Sequence, residues 1–146
     1  MIRLATLDDL PAMANVTMAA KAHWGYDRVF LEACRDELSP KPADLGPGLA
    51  LWEDEGVQGV VHVVIPGDEA HIFLLFVHPV AMGRGIGRAL FDWALATARG
   101  GGASRLTLDA DPYAEGFYRH LGMTRIGEVP SATWPNRMLP LMAIDL

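Results

Sequence analysis

The chain has 146 residues, 51% hydrophobic and 21% charged, enough for one domain with a sizeable core and wrong for disorder. Its net charge of −6, with no basic run, argues against nucleic acid or an anionic membrane as a partner, since Lys/Arg patches grip both. The single cysteine, Cys34, allows no internal disulfide, no stretch reaches the ~18 apolar residues of a membrane span, and no signal-peptide run opens the chain, so a cytoplasmic protein is expected.

Residues 2–5 (IRLA) read as a first strand. Residues 8–24 read as a helix, with Asp8 as its N-cap and Pro11 tolerated in its first turn. Within residues 27–38, Val29, Phe30, Ala33, Cys34 and Leu38 recur at helical spacing, and Ser39-Pro40 stops the helix. Cys34, among these apolar positions, reads as an inert core thiol. The Pro/Gly-rich stretch 39–48 is a loop inside one domain. Residues 49–54, 57–65 and 70–77 follow as strands, joined by turns at Glu55-Gly56 and Pro66-Gly67-Asp68. A helix over residues 84–99 puts Ile86, Ala89, Leu90, Trp93 and Ala94 on one face, with Gly100-Gly101-Gly102 behind it. Residues 104–110 form a strand, 113–122 a short helix, and 124–129 and 138–146 the last two strands. This order implies an α/β domain over residues 1–146, a mixed sheet flanked by helices. An exposed final strand would offer an edge for pairing into a homodimer.

Gly83, Gly85 and Gly87, with Arg84 and Arg88 between them, stand where the 70–77 strand meets its helix. A strand entering a glycine-rich turn at a helix start makes an anion site. The first helical N–H groups lack partners, and the dipole places about half a positive charge there. Glycine lets the backbone approach a bulky phosphate. A dinucleotide fingerprint needs its third glycine where Arg88 stands, and the Gly-Lys-Ser/Thr of a P-loop is absent.

The stretch VHPVAMGRGIGRALF resembles the pyrophosphate-binding motif of the GNAT acetyltransferase superfamily, Arg/Gln-x-x-Gly-x-Gly/Ala at a helix start. DPYAEGFYRHLGM resembles its second signature, a helix carrying Phe-Tyr just before Leu-Gly. The element order matches too, so the resemblance spans essentially the whole chain. It implies a mostly antiparallel sheet and acetyl-CoA as co-substrate. It also implies direct acetyl transfer to the amine of a small molecule or peptide. Main-chain N–H groups of Gly83, Arg84, Gly85, Ile86, Gly87 and Arg88 would hold the pyrophosphate. Leu75, Phe76 and Val77 would pair with the pantetheine arm as another strand would. One departure is Met82, where the family usually has Arg or Gln.

An amine attacking a thioester must be neutral, and the departing thiolate benefits from a proton. The resemblance implies Tyr118 as the proton donor; the alternative is a packed helical tyrosine. It also points to His71, fourteen residues before Gly85, where the family often has a glutamate base. A histidine can accept a proton near neutrality because its ordinary pKa is about 6.5. A core histidine and a water chain are the other readings. Asp109 and Asp111 would attract an ammonium group, or Asp111-Pro112 would start a helix. His23, Trp24 and Tyr26 stand where the family lines its acceptor pocket, and Trp134 and Arg137 would close the same side. His62, His78 and His120 lack ligand spacing, so no metal is expected, and Ser104 and Ser131 lack a triad signature. The rival reading is a non-catalytic acyl-CoA-binding or sensor module, which Met82 favours and Tyr118 opposes.

Overall fold

The computed structural model describes residues 1–146. Seven strands form one sheet in the order β1-β2-β3-β4-β5-β7-β6. They are β1 (Ile2–Leu4), β2 (Leu49–Glu53), β3 (Val57–Val64), β4 (Glu69–Val77), β5 (Arg105–Asp109), β6 (Thr124–Pro130) and β7 (Met138–Asp145). Only the β4–β5 pair is parallel. Four helices accompany them: α1 (Leu10–Ala22), α2 (Arg28–Leu38), α3 (Ile86–Gly100) and α4 (Glu115–His120).

Strand periodicity divides the apolar residues between two cores. Leu49, Leu51 and Val60 meet Met13, Val16, Phe30 and Leu38 of α1 and α2. Ala50, Val61 and Val63 meet Ile86, Leu90, Phe91 and Ala94 of α3. Successive strand residues point to opposite faces, so a sheet covered on both faces needs an unbroken apolar run. Leu49, Ala50 and Leu51 supply one, all fully buried. Cys34 is buried in the α1–α2 core, and desolvation pushes its thiol up.

Two features of β4 open the site. Its register with β5 runs only from Glu69↔Arg105 to Ile72↔Leu108, leaving residues 73–77 without a β5 partner. On the other side, Leu74 pairs with His62 but Ile72 pairs with Val63, so Phe73 is an extra residue at a bulge. Ile72 therefore packs into the α3 core and Leu74 into the opposite one.

Three expectations shift. Asp8 does not cap the first helix: a 3₁₀ turn over Leu7–Asp9 precedes α1, and Thr6 N–H donates to Asp9 Oδ2 at 2.7 Å. Asp9 is selected because Arg3 grips both its oxygens, at 2.8 and 2.9 Å, holding its carboxyl well below the usual range. The long helix starts at Ile86 rather than residue 84, because Gly85 at φ +80° cannot continue a right-handed helix. The final strand is not an edge: β7 lies between β5 and β6, and the open edges belong to β1 and β6. No helix is long and apolar enough to cross a membrane.

Candidate active site

A cleft of about 510 Å³ opens where β4 and β5 part, a volume within the usual range for small-molecule sites. Leu75, Phe76 and Val77 line it from the unpaired end of β4, and Tyr118 from α4. Gly83, Gly85, Ile86, Gly87 and Arg88 bring the glycine loop to it, with Met82. Trp24, Asp109, Asp111 and Arg137 complete the expected residues that reach the cleft. Arg84, His71, His23, Tyr26 and Trp134 do not line it.

The loop's glycines answer two different needs. Gly83 and Gly85 adopt φ +81° and +80°, and a Cβ at either would meet nothing within 4 Å. Backbone conformation selects them, and the space beside them is open. At Gly87 the conformation is ordinary but a Cβ would lie 3.0 Å from Phe117 Cζ, so α4 closes tightly over the start of α3. The bond from Ala89 N–H to the Gly85 carbonyl, 3.0 Å, begins the α3 ladder. The N–H groups of Ile86, Gly87 and Arg88 precede it and lack helical acceptors.

Tyr118 is 7% exposed, its ring against Phe91 and Phe117. Burial, and then the negative charge of Asp111, push its phenol above the ordinary value. The hydroxyl thus keeps its proton through the neutral range. His71 sits beside the cleft, its ring edge-on to Phe73 at 4.8 Å. Its Nδ1 lies 2.8 Å from Thr107 Oγ1, whose own hydroxyl donates to the Ala70 carbonyl at 3.4 Å. Thr107 therefore accepts from Nδ1–H, and Nε2 is left as the basic nitrogen. Burial lowers the imidazole pKa below its ordinary value, although Asp109 and Glu69 oppose the shift.

A polar cluster builds the other end of the cleft. Lys21 Nζ lies 2.7 Å from Asp111 Oδ2. The Tyr26 hydroxyl donates to Asp111 at 3.0 Å and accepts from Arg137 Nη2 at 2.6 Å. Asp111 also caps the turn into α4, accepting Tyr113 N–H at 2.9 Å, so its helix-start role holds alongside its pairing with a cation. Burial alone would raise its carboxyl, but the hydrogen bond and charge of Lys21 outweigh that and hold it below the ordinary range. Burial, and then Asp111, raise the Tyr26 phenol. Trp24 stacks on Tyr113 at 5.5 Å, and His23 meets Trp24 edge-on at 5.3 Å. Trp134 packs on Phe30 and so joins the α1–α2 core.

Lys21 is the residue that sequence reasoning missed. Its signal was its place four residues after Thr17 and eight after Met13, on a buried helical stripe where a lysine must find a partner.

The model of the acetyltransferase (GNAT) domain family matches residues 15–134. Serotonin N-acetyltransferase 2, chloroplastic, of Oryza sativa subsp. japonica is 42% identical over 53 residues, which are 36% of this chain and 26% of that protein. The chain thus matches about a quarter of that relative's length. A GCN5-related N-acetyltransferase from Rhodopseudomonas palustris superposes with a TM-score of 0.83 at 22% identity, over 100% of this chain and 95% of that one. The PaiA N-acetyltransferase of Thermoplasma acidophilum, solved with coenzyme A, gives 0.78 at 16% identity, over 100% and 98%. At these identities the two structures show a shared fold.

Proposed function

The chain belongs to the acetyltransferase (GNAT) family, and on that premise we propose that it is a single-domain, acetyl-CoA-dependent N-acetyltransferase acting directly on the amine of a small molecule or peptide. One observation carries the reading: the unpaired edge of β4 and the free N–H groups at the start of α3 open into the same cleft. These groups fit the donor. Main-chain N–H groups and the helix dipole suit a pyrophosphate, and an open strand edge suits the amides of a pantetheine arm. The coenzyme A bound to the Thermoplasma neighbour and the amine named for the rice relative agree with it.

Acetyl-CoA supplies a thioester that an amine can attack. The N–H groups from Gly83 to Arg88 hold the phosphates, and Arg84 and Arg88 add charge where Met82 offers none. Leu75, Phe76 and Val77 orient the arm through their main chain. Tyr118, kept protonated by burial, delivers its proton to the departing thiolate. His71, neutral at pH 7 and set back from the cleft, takes the amine's proton through a water at Nε2. Trp24, Asp109 and Arg137 border the acceptor; His23, Tyr26 and Trp134 shape that border from behind.

Acetyl-CoA should raise the melting temperature by mass action, and free thiol should appear with some member of an amine panel. No melting shift at millimolar acetyl-CoA overturns the reading. A shift without thiol release marks a module that binds acyl-CoA without turnover. Tyr118→Phe, which removes only the hydroxyl, should slow turnover by roughly 10²–10⁴-fold, the scale of a positioned acid, with the melting shift preserved.

A further inference from the structure

At the Asp111 end of the cleft, two cations share one carboxylate. Lys21 Nζ lies 2.7 Å from Asp111 Oδ2 and Arg137 Nη2 3.4 Å from it, and the Lys21, Asp111 and Arg137 side chains are only 10%, 10% and 17% exposed. The acceptor oxygens of Asp111 are taken by Lys21, Arg137, the Tyr26 hydroxyl and Tyr113 N–H. The donors are not used up. Lys21 commits its ammonium to Asp111 alone, and Arg137 bonds only through Nη2, which leaves Nε and Nη1 over. Glu37 also lines the cleft, but it is exposed, takes the Thr133 hydroxyl and pairs with neither cation. The cluster therefore holds an excess positive charge in a largely desolvated place, where an unmatched charge is costly.

We propose that the acetyl acceptor carries a carboxylate beside its amine, and that Arg137 and Lys21 bind this carboxylate at the inner end of the cleft. This rests on the acetyltransferase reading, because the pocket is that of its acceptor. The planar guanidinium fork matches a carboxylate in two parallel hydrogen bonds. A single negative charge balances a single excess cation, whereas a phosphate near −2 would overshoot it. Asp109, exposed on the cleft rim, supplies the opposite charge that draws in the ammonium end. An amino-acid-like zwitterion meets both demands, as a free molecule or as a peptide that begins with Asp or Glu.

Thiol release from acetyl-CoA is measured with the proteinogenic amino acids, each as free acid and as α-carboxamide. Short peptides beginning with Asp or Glu form a second arm, and spermidine and tryptamine are the carboxylate-free amines. The free acid should exceed its amide in kcat/KM by at least about tenfold, since a site built to pair a polar group rejects the analogue lacking it. If the peptides carry the carboxylate instead, those with Asp or Glu should exceed those with Asn or Gln by the same margin. Arg137→Met should bring the ratio toward one, mainly through KM, while acetyl-CoA still raises the melting temperature. Turnover of amides or carboxylate-free amines at equal or higher efficiency overturns the proposal and leaves the acetyltransferase reading standing. Absence of both thiol release and a melting shift takes down the two together. If acetyl-CoA binds and nothing turns over, N-acetyl amino acids and their amides are titrated calorimetrically into protein saturated with CoA. Tighter binding of the acids supports the proposal, and equal or absent binding overturns it.

Discussion

The α3 end of the cleft offers main chain: glycines at positive φ, and three N–H groups ahead of a helical ladder, all within residues 83–88. Its other end offers side chains from three separate stretches, with Lys21 and Asp111 90 positions apart and Tyr26 and Arg137 111 apart. The first end needs only a local turn to exist. The second exists only once α1, the end of β5 and the loop before β7 have come together. Substitutions should therefore act by different routes: backbone conformation and charge at one end, desolvated pairing at the other.

The sharpest break is Gly85→Glu. It forces a side chain into a left-handed conformation costing about 1–2 kcal/mol and sets a carboxylate against the phosphates. Acetyl-CoA binding, followed calorimetrically, should be lost while the protein remains folded. At the other end Asp111→Asn should act on stability first. It leaves Lys21 and Arg137 without their shared counter-charge, and breaking a buried pair typically costs about 3–5 kcal/mol. Urea unfolding reads this loss, and an unchanged midpoint would mean that water screens the cluster.

His71→Gln tests a group that lies outside both ends. Burial places the folded pKa below the ordinary histidine value, so the neutral, proton-accepting ring persists below pH 6.5. The wild-type acid limb of kcat/KM should then fall below about 6.5, and the variant should lose that limb. The unfolded chain also binds the His71 proton first as pH drops. Stability should thus fall from about pH 6.5 down toward the folded pKa, and the variant should lose that decline as well. Smallest is Arg84→Ala, since Arg84 is exposed and does not line the cleft. Acetyl-CoA should bind a few-fold more weakly at low salt, with the gap narrowing as salt screens it. A large effect would mean that side chains, rather than main chain, hold the phosphates.

The same contrast explains what could be read in advance. The glycine loop is a contiguous motif whose physics is local, and its place and its lining of the cleft agree with the expectation. The element order was equally legible, because strand and helix periods differ along most of the chain. The two-residue shift in the start of α3 came from Gly85, whose positive φ no periodicity reveals. Asp9 displaced Asp8 because Arg3, on a neighbouring strand, holds its carboxylate. Lys21 escaped because its partner is far along the chain, and a lone lysine on an apolar stripe carries no label. His71 was placed on the right strand, yet counting residues could not show that Phe73, rather than His71, would reach the cleft.

The bulge at Phe73 makes β4 a strand that counts. Because one residue is spent there, Ile72 turns toward α3, Leu74 away from it, and Leu75 and Val77 back toward it. A deletion that restored regular pairing would exchange the facings of everything downstream, sending Leu75 and Val77 to the α1–α2 side. The residues of β4 can therefore drift in identity over evolutionary time, provided that they stay apolar. The strand's length cannot. Insertions and deletions among descendants of this chain should collect in the loops on either side, at 39–48 and 131–137, and spare residues 69–77.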